Sequence, residues 1–164
     1  MNIGIVYYSR TGNTKKAAET LQNKIKEKKI DAKLVEIRHV KKPGFFKAGS
    51  AGMTQKEQPI QNTDFNLKKY DKIIVGSPTW GGKSSPYIQS FFNKAENFKG
   101  KKVGIFYTSA GETYKAKTGE NLKEYLSEIG LNPIDDIIGF KMKKEEIQDG
   151  KQNIEKFVKT ITTK

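Results

Sequence analysis

Short apolar runs alternate along this chain with longer stretches in which apolar residues recur every three or four positions. The runs, near residues 2–8, 31–37, 71–77, 102–108 and 133–140, are rich in β-branched and aromatic residues and predict five strands. The stretches near 14–29, 84–97, 118–129 and 143–162 predict helices. Ala17, Ala18, Leu21 and Ile25 share one side of the first helix. Leu122, Tyr125, Leu126 and Ile129, and then Ile154, Phe157, Val158 and Ile161, follow the i, i+3, i+4, i+7 spacing of a core-facing stripe. Strand–helix alternation with short connections implies parallel strands joined by right-handed crossovers. The expectation is an α/β protein with a five-stranded, doubly wound parallel sheet and its ligand at the carboxyl ends of the strands. Residues 38–66 are long for a connection. Phe45, Phe46 and Met53 in that segment either cover a ligand or pack as satellite core, and packing is the expected use.

Composition narrows the chemistry. At 164 residues the chain is expected to form one domain. It has no apolar run of membrane-spanning length and no secretory pattern at its start, which leads to the expectation of a cytoplasmic protein that does not insert in membranes. With no Cys there are no disulfides, iron–sulfur clusters or thiolate metal sites. The single histidine, His39, cannot build a multi-histidine metal site, and no Ser–His–Asp set or metal-spaced ligands occur, so neither a catalytic residue nor a metal site is assigned. Any redox chemistry would reside on a bound organic cofactor.

Net charge is +13, from 31 basic and 18 acidic residues, yet only Arg10 and Arg38 are arginines. Lysines are spread over the helix faces rather than gathered into a reading patch, so nucleic acid is not an expected partner. The surplus is either compositional or a source of long-range attraction for acidic partners.

Three strand-end loops carry the candidate chemistry. The first, Ser9-Arg10-Thr11-Gly12-Asn13-Thr14, leads directly into a helix. Free backbone N–H groups, the helix dipole and three hydroxyls make an anion site there, best suited to a phosphate monoester. The same residue types also serve as ordinary helix caps. The loop lacks G-x-x-x-x-G-K-[ST] and G-x-G-x-x-G, which sets aside nucleotide P-loops and dinucleotide folds. The second loop is Pro78-Thr79-Trp80-Gly81-Gly82-Lys83 and holds the only Trp. Trp80 there either stacks on a ligand ring or caps the core. The third, Ser109-Ala110-Gly111-Glu112-Thr113-Tyr114, offers backbone groups and an aromatic ring, with Glu112 as a polar anchor or a solvated acid.

From the apolar-aromatic run through Ser9, Gly12-x-Thr14, Ala18 and Leu21, the chain resembles the FMN-phosphate segment of the short-chain flavodoxins. The resemblance implies a flavodoxin-like sheet of order 2-1-3-4-5 and FMN as cofactor. It assigns Ser9, Thr11, Asn13 and Thr14 to the phosphate, with Gly12 in the turn and Arg10 as added charge. Pro78, Thr79, Trp80, Gly81 and Gly82 would flank the ring, the glycines on its N5 side. Ser109, Ala110, Gly111 and Glu112 would meet its pyrimidine edge, and Tyr114, or Tyr107 or a partner in its place, would cover the other face. Flavodoxins are commonly acidic, so a +13 chain departs from the family, and Gly82-Lys83 stands where an acid is often found. The implied function is electron transfer between redox proteins, including acidic ferredoxin-like ones, by a monomer or weak homodimer. The alternative is an FMN-dependent NAD(P)H:quinone-type oxidoreductase.

Overall fold

The computed structural model describes residues 1–44, 54, 56–112 and 117–163. Its elements are β1 (Asn2–Tyr8), α1 (Asn13–Glu27), β2 (Asp31–Ile37), β3 (Lys72–Trp80), β4 (Lys83–Ser84), α2 (Tyr87–Phe92), β5 (Lys102–Ser109), α3 (Thr118–Glu128), β6 (Asn132–Lys143), β7 (Glu146–Asp149) and α4 (Ile154–Thr162), the last preceded by a 3-10 turn at Lys151–Asn153. The sheet runs β2-β1-β3-β5-β6-β7, with β4 paired to β3. The first five strands in that order are mutually parallel, whereas β6–β7 and β3–β4 are antiparallel hairpins. The architecture is the expected α/β flavodoxin-like one, but the sheet has seven strands rather than five.

Both faces of the sheet are covered, which explains why β1 reads as a continuous apolar run. Successive side chains alternate between two cores. Val6, Tyr8, Ile73, Val75 and Ile105 face α2 and α3 through Ile88, Phe91, Leu122 and Leu126. Ile3, Ile5, Tyr7, Ile74 and Phe106 face α1 and α4 through Leu21, Ile25, Phe157 and Val158. Lys72, at the start of β3, reaches the end of α4, where its Nζ donates to the Ile161 carbonyl at 2.9 Å and to that of Thr163. Burial and the nearby Lys102 charge lower its pKa. Among the described residues, no helix is long and apolar enough to cross a membrane.

The expected helix over 143–162 is a correction. Its first half is the β6–β7 hairpin, and α4 begins only at Ile154. Lys143 pairs with Glu146 around a two-residue turn, in which Lys144 and Glu145 have φ of 47° and 63°. Those signs belong to a type I′ turn, usually built from Asn and Gly. The Lys-Lys-Glu-Glu sequence favours helix locally, and tertiary pairing with β6 overrides it. The 38–66 segment is stitched at its ends. His39 bridges Ile60, the Gln61 N–H donates to the Arg38 carbonyl at 2.8 Å, and Ile60 and Phe65 pack on the α2 side of the core. Phe45, Phe46 and Met53 lie outside the described residues.

Candidate functional site

The carboxyl ends of β1, β3 and β5 form one edge of the sheet, and the three candidate loops meet there. At the β1–α1 junction the Gly12 N–H donates to Ser9 Oγ at 3.2 Å, which closes the turn. Gly12 stands in the left-handed region, φ 91°, and no side chain caps α1. The first helical N–H groups therefore keep their donor capacity, and the dipole places partial positive charge beside them. The Glu145 N–H donates to Asn13 Oδ1 at 2.7 Å. A backbone N–H can only donate, so this contact fixes the carboxamide oxygen and leaves Asn13 Nδ2 as a donor. Thr14 is buried, and its hydroxyl is 2.8 Å from that of Thr108 at the end of β5.

At the end of β3 the chain reverses through Gly81 and Gly82, φ 56° and 79°, so that Trp80 pairs with Lys83. Both angles suit a type I′ turn, which glycine adopts without steric cost. The expected loop is thus a tight hairpin. Its base is tied by Thr79 Oγ1 to Thr118 Oγ1 at 2.9 Å and by the Ser85 N–H to Ser77 Oγ at 2.8 Å. Trp80 is only 7% exposed. It meets Tyr8 and Tyr87 edge-on at 5.5 and 6.0 Å, while those two rings stack at 4.1 Å with a 9° interplanar angle. The Tyr8 hydroxyl lies 3.3 Å from His39 Nδ1. Burial raises the pKa of both Tyr8 and Tyr87.

Between the loops lies a cleft of about 300 Å³. Arg10, Thr11, Asn13 and Thr14 line one end. Pro78, Thr79, Trp80 and Gly81 form one wall, and Thr108, Ser109 and Ala110 the other. Thr108 was missed by the sequence reading, although it is the last buried residue of an apolar strand and a polar side chain at that strand's ligand end, next to Ser109. Ser9, Gly12, Gly82, Gly111 and Glu112 do not line the cleft. Ser9 and Gly12 are used by the turn that shapes the loop, Gly82 and Gly111 are exposed, and Glu112 forms an ion pair with Lys141. Tyr114 lies outside the described residues. Tyr107 is 9% exposed, with its pKa raised by burial, and does not line the cleft. Arg10 is half-buried, and its guanidinium donates to the Pro43 carbonyl at 3.3 Å, which anchors the segment after β2 beside the cleft. Among the described residues, no group of His, Asp or Glu is placed to hold a metal ion.

This geometry agrees with comparisons to known proteins. The profile of the NADPH-dependent FMN reductases matches residues 1–144. A flavodoxin of Maridesulfovibrio salexigens is 29% identical over 138 residues, 80% of each chain. Among solved structures, a Lactobacillus acidophilus flavoprotein in complex with FMN superposes with a TM-score of 0.70 at 27% identity, covering 95% of this chain and 97% of that one. A flavodoxin from the domain Archaea gives a TM-score of 0.64 at 21% identity, covering 99% of this chain and all of its own, a likeness of fold. The chain belongs to the NADPH-dependent FMN reductase family, a group of flavodoxin-like proteins whose cofactor is FMN.

Proposed function

We propose that this chain holds FMN in the cleft between the β1, β3 and β5 loops and passes electrons between redox partners. One observation carries the reading: an uncapped helix N-terminus flanked by hydroxyls and an aromatic hairpin wall open into the same cleft. A phosphate monoester suits the first end, where the N–H groups of α1, the Thr11 and Thr14 hydroxyls and Asn13 Nδ2 are donors. A flat ring suits the other, where Pro78 and Trp80 provide apolar surface and exclude water from one face. A volume of about 300 Å³ is at the lower bound for small-molecule sites and fits a cofactor left partly open to solvent.

Bound FMN supplies reversible electron uptake, which the side chains do not. The residues bind, orient and shield. Backbone groups at Ser109 and Ala110 offer donors and acceptors to a ring edge, and the Gly81–Gly82 turn leaves its peptide free of side-chain obstruction. Arg10 is the one ionisable group on the described cleft wall. Exposed Lys15, Lys83 and Lys117 on the elements that frame the cleft would draw acidic redox partners of the ferredoxin type. The docked chain would act as a monomer or weak homodimer.

The family match supports a second reading, an FMN-dependent oxidoreductase that takes two electrons from NADPH for a quinone-type acceptor. Anaerobic reductive titration of the FMN-loaded chain separates the two. Electron uptake in two resolved one-electron stages, without turnover of reduced nicotinamide, is expected for the carrier. A single two-electron stage with steady NADPH turnover would favour the oxidoreductase.

A further inference from the structure

The tip of the β6–β7 hairpin bears on the α1 end of the cleft in a way that the sequence pattern does not reveal. Glu145 holds its backbone at φ 63°, a conformation that costs a non-glycine residue free energy. Its N–H is bonded to Asn13, 132 positions earlier in the chain. Its side chain lies against Gly12, where a Cβ would stand 2.5 Å from both Cδ and Oε1 of the carboxylate. The first turn of α1 itself contains no acidic residue, and its Lys15 and Lys16 are basic. Glu145 therefore brings a carboxylate from a distant element to a helix N-terminus whose own sequence excludes one.

We propose that Glu145 is a specificity-determining residue that weakens the hold of this site on a phosphate dianion and leaves the ring's contribution untouched. The inference rests on the FMN reading above. Next to the positive end of α1 the carboxylate already compensates part of the dipole field. An incoming phosphate with a charge of about −1.5 to −2 is repelled by that fixed negative charge. Asn13 is held from the same turn, so the donor and the opposing charge are set by one hairpin. The consequence is a site tuned to release FMN more readily than its loop alone would.

The test compares FMN with riboflavin, which has the same ring and no phosphate, on flavin-free wild-type and Glu145→Gln chains, by quenching of flavin fluorescence. Glu145→Gln keeps the backbone N–H to Asn13 and removes only the charge. FMN affinity is expected to rise about threefold at low salt, with riboflavin affinity unchanged and the gain shrinking in high salt. Glu145→Gly, which removes the charge and suits the left-handed backbone, should show the same FMN-specific gain and guards against a local effect of Gln. Unchanged FMN affinity in both variants, or equal gains for FMN and riboflavin, would overturn this inference alone. A wild-type chain that takes up neither flavin would overturn the FMN reading and this inference with it.

Discussion

Replacing Thr108 by Val tests the buried hydroxyl pair that joins β5 to the phosphate loop. Thr14 and Thr108 are 1% and 3% exposed, and their hydroxyls are 2.8 Å apart. Valine has the same shape as threonine, so no cavity forms, and the loss is confined to hydrogen bonding. Thr108→Val leaves the Thr14 hydroxyl buried without this partner, at a cost of about 1–3 kcal/mol, and Thr14→Val costs a similar amount for the mirror reason. The double variant buries two methyl groups against each other and should recover to within about 1 kcal/mol of wild type, a coupling of about 3 kcal/mol when each single variant loses about 2 kcal/mol. Urea unfolding of the flavin-free chains measures all four corners of the cycle. Cofactor affinity should follow a different order: both chains lacking the Thr14 hydroxyl lose FMN affinity, the stable double variant included, while riboflavin binding stays level. Stability losses that simply add would refute the pairing, and full FMN affinity in the double variant would refute the phosphate role of Thr14.

Other consequences follow from packing and burial. Trp80→Ala removes a ring held edge-on by Tyr8 and Tyr87 and should cost about 3–5 kcal/mol even without flavin, with Trp80→Phe much milder; a loss under about 1 kcal/mol in urea unfolding would place Trp80 outside the core. The Tyr125 hydroxyl is buried without a partner among the described residues, so Tyr125→Phe should raise stability by about 1 kcal/mol, and a lowered midpoint would show a missed bond. Burial raises the pKa of Tyr7, Tyr8, Tyr70, Tyr87, Tyr107 and Tyr125, the last to about 12. Folded phenols then keep protons that the unfolded chain loses, so their contribution to stability is complete below the unfolded value of about 10 and is lost as pH rises above it. Lys72, with its pKa lowered, acts in the opposite sense but is one group against six. Circular dichroism and absorbance at about 295 nm should show tyrosine ionisation and unfolding together above pH 10; ionisation of all tyrosines near pH 10 with the fold intact would contradict it.

The strand-end loops were legible because their signals are local. An apolar run that stops at Ser9, or at Pro78-Thr79-Trp80, marks a strand end whatever surrounds it, and the helical stripe of Ala17, Ala18, Leu21 and Ile25 that follows fixes the direction of the chain. The parallel direction of the strands followed from the alternation of strands and helices, and their order from the flavodoxin resemblance. The β6–β7 hairpin was hidden because Lys144 and Glu145 occupy positions normally marked by Asn or Gly. The two residues of β4 were too short to register as a strand. Trp80 carried two candidate uses, and the structure shows the packing one: its ring meets Tyr8 and Tyr87 edge-on, while the residue also lines the cleft, where stacking on the flavin remains the proposed use. Thr108 escaped notice because its role depends on Thr14, 94 residues away, which no spacing rule connects. Glu112 illustrates the converse, a residue singled out by its loop and engaged by Lys141 of β6.

The most direct test of the central claim is the crystal structure of the FMN-loaded chain. The phosphate is expected within hydrogen-bonding distance of the α1 N-terminal N–H groups and the Thr11 and Thr14 hydroxyls, with the isoalloxazine beside Trp80 and the Gly81–Gly82 turn. A phosphate held elsewhere, or a ring that leaves Trp80 and the β3–β4 hairpin untouched, would contradict it.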